Sequence, residues 1–128
     1  IELSRTRAER GHFPAIDVLR SLTRGMDDLV DADHRRATAR LREVLSICER
    51  QKELVLLGAY QPGSDPSIDR ALARLPGIEA FLRQRRERMH NAAEPAEPAD
   101  RSDFAETRRR LLALFPELEA EKSKERTW

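Results

Sequence analysis

At 128 residues the chain has room for one small domain and not comfortably for two. Charged residues make up 37% and aromatics 5%, which favours a helical, water-facing protein with a thin core. A net charge of +1 removes any whole-molecule case for nucleic acid, and a lone Cys48 excludes an internal disulfide and points to a reducing compartment.

The opening IELSRTRAERG has no apolar signal-peptide core, and no apolar run approaches the roughly 20 residues that span a bilayer. It begins without Met and in mid-pattern, as a piece of a longer protein would. IELS reads as a short strand and Arg5 to Arg10 as a helical turn or two stopped by Gly11. Pro14 forces Phe13 out of the helical region. Asp17 is placed to cap a short helix through Val18, Leu19 and Leu22, carrying SLTR, with Gly25 loosening its end. Asp31 or Asp33 caps the longest helix. Its apolar positions Ala37, Leu41, Val44, Leu45, Cys48 and Val55 recur at spacings of three and four, while Arg35, Arg36, Arg40, Arg42, Glu49, Arg50 and Glu53 fill the other face. LVLLGAY ends it at Gly58, and Pro62 and Gly63 mark a loop. Asp65 caps a new helix with Pro66 at its first position, lined by Ile68, Ala71, Leu72 and Leu75. Pro76 and Gly77 interrupt it, and a second start carries Ile78, Phe81 and Leu82 inward. After Gln84 the run RRERMHNAAEPAEPADRSD reads in its middle as a flexible linker. Ser102 or Asp103 caps a last helix with Phe104, Leu111, Leu112, Phe115 and Leu118 on one side, and EAEKSKERTW frays. The fold class is all-α, a small bundle of four or five helices.

Catalytic signals are sparse. No glycine is followed by lysine, so no phosphate-cradling loop is present. His12, His34 and His90 make no i, i+4 pair and there is one cysteine, so no metal site is expected. Ser21 and Ser46 sit in no nucleophile-elbow context. Alone, the chain should turn over no substrate and bind no cofactor. Phe13 before Pro14 reads either as a flat face for a stacked ring or as a core aromatic beside a turn. Arg24 reads either as a phosphate-reaching guanidinium or as a solvated arginine at a helix end. GAYQPGSDP, residues 58–66, is either a partner-touching tip that exposes Tyr60 or a plain hairpin turn. The arginine runs at 85–88 and 108–110 read as solvated faces, because no aromatic interleaves them. The near absence of lysine (only Lys52, Lys122 and Lys124) suits ion pairs and phosphate recognition, or reflects a GC-rich genome.

The order of these motifs carries a resemblance. LSRTRAERGHFPAID, SLTR, ELVLLGAYQPGSDPSIDRA and IEAFLRQ, from about Leu3 to Gln84, together with FAETRRRLLALF, resemble the C-terminal portion of the export-apparatus ATPases. These are the hexameric ATPases of flagellar and type III secretion systems, relatives of the catalytic subunits of F-type ATP synthases. The resemblance implies a helical C-terminal domain with a short extended remnant of the nucleotide-binding core, divided as 1–24 border segment, 25–91 helical domain, 92–101 Pro/Ala-rich linker and 102–128 terminal helix and tail. It implies that Phe13 packs near adenine and that Arg24 completes a neighbouring subunit's ATP site as an arginine finger. It also implies that Tyr60, Gln61 and Asp65 lie on a tip facing the central stalk protein and export chaperone–substrate complexes. ATP with Mg would be the cofactor of the full-length enzyme. The location would be cytoplasmic, peripheral to the inner membrane through the secretion apparatus. Arg7 and Gly25 stand where the family has apolar residues, as a divergent or shortened member would show. Two other readings compete: a stand-alone helical protein–protein adaptor, and a basic helical RNA binder with steep salt dependence.

Overall fold

In the computed structural model, residues 1–83, 104–118 and 120 are described. Five helices follow in order: α1 (Arg5–Glu9), α2 (Met26–Leu29), α3 (Ala32–Leu56), α4 (Pro66–Leu82) and α5 (Phe104–Ala113). The linker at 92–101, the arginine run at 85–88, His90, the Ser102 or Asp103 cap and the tail from Glu121 lie outside the described residues.

α3 is the spine. Asp31 caps it by accepting from the His34 N–H at 2.9 Å. Its inward stripe Ala37, Leu41, Val44, Leu45 and Cys48 is buried. α4 and α5 pack against it, adding Ala71, Ile78 and Leu111, and Phe115 and Leu118 just past α5 complete the core. Arg74 of α4 locks that last stretch. It donates to the Leu114 carbonyl at 3.1 Å, pairs with Glu117 at 2.8 Å, and stacks its guanidinium 5.3 Å from the Phe115 ring centroid.

The N-terminal segment is tied to itself. Among the described residues its only sheet-like pairing is an isolated antiparallel bridge, Leu3 to Ile16, so the expected IELS strand shrinks to one residue pair. Ser4 N–H donates to Ala15 and Asp17 N–H to Glu2, at 2.7 and 2.8 Å. The Phe13–Pro14 peptide is cis.

Five sequence expectations give way. The helix after Asp17 is a turn. Asp17 does accept from the Leu19 and Arg20 N–H groups, 3.1 Å each. However, the guanidinium of Arg42 takes the Val18 and Leu19 carbonyls, which a continuing helix would offer to Leu22 and Thr23. Arg42 is therefore not on the solvent face. α4 runs unbroken through Pro76, because buried Ala71 and Ile78 pin it to α3 on either side. Gly77 faces Leu114, where an added Cβ would meet Leu114 Cδ2 at 3.6 Å, an ordinary contact. Val55 is 40% exposed rather than inward. Phe104 is also exposed, stacked on His34 with ring centroids 5.6 Å apart.

Candidate functional site

α3, a helix of 25 residues about 37 Å long at 1.5 Å per residue, meets the border segment through Arg42 in its N-terminal half and leads into the hairpin tip at its C-terminal end. Phe13 is half-buried between buried His12 and Pro14. Burial holds the His12 imidazole below its ordinary value, Arg7 and Arg83 push the same way, and Glu79 opposes.

Arg24 is exposed on a bend, not on a helix. Gly25, at φ 76°, takes the left-handed conformation that starts α2. It therefore does not loosen a helix under Arg24; it turns the chain immediately after it. Three residues before Arg24, the backbone is fixed. Ser21 donates its hydroxyl to the Asp17 carbonyl at 2.6 Å and accepts from the Glu2 N–H at 3.0 Å. Arg20 pairs with Glu2 at 3.3 Å. From α3, Arg42 grips the same turn. Arg24 is thus a permanent cation on a three-residue arm with an anchored base.

At its C-terminal end, α3 stops through the Leu57 N–H to the Glu53 carbonyl and a left-handed Gly58 at φ 67°. The hairpin tip follows. Tyr60 does not project freely: it is half-buried, and its hydroxyl donates to Asp69 Oδ1 at 2.8 Å. The other carboxylate oxygen of Asp69 accepts from the Gly63 N–H at 2.9 Å. Burial and then the Asp69 hydrogen bond hold the Tyr60 phenol above its ordinary value. Asp65 caps α4, accepting from Ser67 N–H at 2.7 Å and Ile68 N–H at 3.4 Å, with Pro66 at the first helical position. Gln61 is exposed, and its carbonyl accepts from Ser64. Beside the tip, Leu56 and Leu57 are 75% and 80% exposed.

Sequence reasoning missed Arg42 and Asp69. Asp69 carried a usable signal, since it lies one helical turn beyond the Asp65 cap and can fold back onto the loop. Arg42 carried none that set it apart from its neighbours on α3. The triplet 108–110 is also more than a solvated face: Arg108 pairs with Asp31 at 2.7 Å, Arg109 pairs with Glu106, and Arg110 lies 5.8 Å from the Phe81 ring centroid.

For a nucleotide the donor set fits in part. Phe13 offers an aromatic face and Arg24 a cation, while the sequence holds no glycine–lysine loop. The described residues gather no group of three His, Cys, Asp or Glu able to hold a metal. No helix among them is long and apolar enough to cross a membrane.

Fold and site define a small all-α domain carrying an exposed arginine on an anchored border and a latched hairpin tip. Residues 30–113 match the family described as the T3SS EscN ATPase C-terminal domain, and the chain belongs to that family. It is 48% identical over 84 residues to a type 3 secretion system ATPase of Pseudomonas syringae pv. tomato, a match covering 66% of this chain and 19% of that protein. It is 41% identical over 92 residues to the flagellum-specific ATP synthase of Pseudomonas aeruginosa, covering 72% and 20%. Among solved structures, the assembled ATPase EscN from the type III secretion system of enteropathogenic E. coli superposes with a TM-score of 0.72 at 29% identity, over 88% of this chain and 24% of that one. The chain thus spans about a fifth of the length of the curated relatives it matches.

Proposed function

We propose that this chain is the C-terminal helical portion of a hexameric ATPase that energises protein export through a type III secretion or flagellar system. Residues 1–24 border the nucleotide-binding core, and residues 25–91 and 102–128 form the helical part, joined by 92–101. The enzyme works in the cytoplasm, held at the inner membrane by the export apparatus. Phe13 packs against the adenine of Mg–ATP. Arg24 reaches the ATP of a neighbouring subunit. The tip with Tyr60, Gln61 and Asp65 faces the central stalk protein and chaperone–substrate complexes.

The observation that carries the reading is the placement of Arg24 in a chain of this family. It is exposed, and it follows a turn that is hydrogen-bonded from both sides. Mg–ATP supplies a phosphoryl group on which negative charge spreads during transfer. A guanidinium aimed there stabilises that charge without being able to lose its proton. The anchored turn limits the reorganisation needed to aim it.

In the intact ATPase, Arg24→Ala should lower kcat by about a thousandfold or more, the range of trans-acting arginines, while nucleotide affinity stays near that of the parent. Hydrolysis at a near-parental rate would overturn the finger assignment. The 128-residue chain alone should hydrolyse no ATP, and turnover that survives Arg24→Ala would contradict the division of the site between subunits.

A further inference from the structure

Arg42 has surroundings that the roles above do not use. Its Nη1 donates to the Val18 carbonyl at 2.6 Å and, at the limit of a hydrogen bond, to the Ser21 carbonyl at 3.5 Å. Its Nη2 donates to the Leu19 carbonyl at 2.8 Å. All three acceptors belong to the turn on which the Arg24 arm stands. Arg42 itself is part-buried on α3, the most heavily packed helix of the bundle. A planar guanidinium can hold several diverging carbonyls at once, whereas a lysine ammonium acts as a point donor.

The turn is closed independently by Asp17 and Ser21. Those bonds fix its shape but not its position relative to the bundle. Val18 and Leu19 rest against the core, a contact without direction, and the bonds from Arg42 add directional anchoring, because they start from α3 and cross more than 20 positions of sequence. Between the gripped Ser21 and the start of α2 lie only Leu22, Thr23, Arg24 and Gly25.

We propose that Arg42 is a positioning residue for Arg24: it ties the base of the arm to α3 and so fixes where the exposed guanidinium is presented. The proposal rests on the finger reading of Arg24. α3 continues about 18 Å from Arg42 to Leu54, so one unbroken helix bears both this clamp and the hairpin tip.

The test uses the intact ATPase with Arg42→Ala, Arg42→Lys, Arg24→Ala and, as a control, Arg50→Ala at an exposed position of the same helix. Amide hydrogen exchange over residues 18–24, kcat, KM for ATP and the thermal midpoint are measured for each. Arg42→Ala should speed exchange at Leu19–Ser21 by about tenfold and lower kcat by about tenfold, with KM changed by less than about twofold. Arg42→Lys, which keeps the stem and the charge and so preserves packing, should fall between Arg42→Ala and the parent in both. Arg50→Ala should match the parent. Unchanged exchange in Arg42→Ala overturns the clamp. Unchanged kcat, or a loss of activity carried wholly by KM, overturns the positioning role. If Arg24→Ala abolishes hydrolysis while Arg42→Ala leaves kcat at the parental value, positioning alone has failed. If Arg24→Ala hydrolyses normally, the finger reading itself has failed, whatever the exchange at Leu19–Ser21 shows.

Discussion

At the scale of single residues, the tip is decided by one carboxylate with two tasks. Asp69 accepts from the Tyr60 hydroxyl with one oxygen and from the Gly63 N–H with the other. A loop rich in glycine and proline would otherwise be mobile, and this latch gives GAYQPGSDP a defined shape before any partner arrives. Tyr60 therefore contributes its ring edge and its latch rather than a free hydroxyl. Tyr60→Phe keeps the ring and removes the latch donor. It should speed amide exchange at Gly63 and Ser64 several-fold in the intact protein while leaving the core amides of α3 unchanged. Exchange at the parental rate would show that Asp69 holds the tip without the phenol. The same substitution bears on the partner role: if the ring alone is recognised, Tyr60→Phe keeps partner-stimulated hydrolysis and Tyr60→Ala loses it. Equal loss in both would mean that the shape of the tip, rather than its ring, is recognised.

At the scale of elements, the helices follow from patterns that act locally, and the exceptions from forces that do not. The α3 stripe from Ala37 to Cys48 shows at once as apolar spacing and is buried as expected. The Asp65–Pro66 start of α4 is equally legible, since a carboxylate cap and a proline at the first position are short-range chemistry. Pro76 misleads because its penalty is local, whereas the packing of Ala71 and Ile78 that overrides it comes from α3. The Asp17 turn misleads for the same reason: a good N-cap is present, but an arginine more than 20 positions away takes the carbonyls. In the candidate site, the positions of Phe13, Arg24 and the tip were readable from motif order, while the grips by Arg42 and Asp69 depend on tertiary approach. Asp65 separates cap from recognition. Asp65→Ala should cost about 1 kcal/mol of stability by losing the bonds from Ser67 and Ile68, and Asp65→Asn should keep nearly all of it. Urea unfolding of the two variants checks this, and equal destabilisation would remove the cap from the account. If Asp65 also meets a partner through its charge, Asp65→Asn weakens that contact without weakening the helix.

At the scale of the whole molecule, acid should loosen the bundle in two steps that act in the same direction. The first belongs to His12. Its imidazole is held below its ordinary value by burial, then by Arg7 and Arg83, against the opposing charge of Glu79. The unfolded chain therefore takes the proton first, near pH 6.5. His12 leaves stability intact above that pH and removes it as the pH falls toward the folded-state value. The second step belongs to two carboxylates that tie the C-terminal part to the rest. Asp31 lies below its usual range through the His34 N–H and, against some desolvation, through Arg108. Desolvation raises Glu117, but the hydrogen bond and charge of Arg74 outweigh it and the net shift is downward. Both carboxylates lend stability above about pH 4, their unfolded range, and lose it as the pH falls through their folded values. The pairs Asp31–Arg108 and Glu117–Arg74 are partly exposed, so each contributes modestly and salt should weaken it. The thermal midpoint of the chain should thus decline from pH 7.5 to pH 5, then decline again below about pH 4. His12→Gln should flatten the first decline and leave the second. A first decline that survives His12→Gln would belong to another group, and a flat profile down to pH 4 in the parent would mean that burying His12 costs the protonated fold nothing. Arg108→Gln and Arg74→Gln should each shrink the second decline alone, because each removes the partner that holds one carboxylate in its charged form.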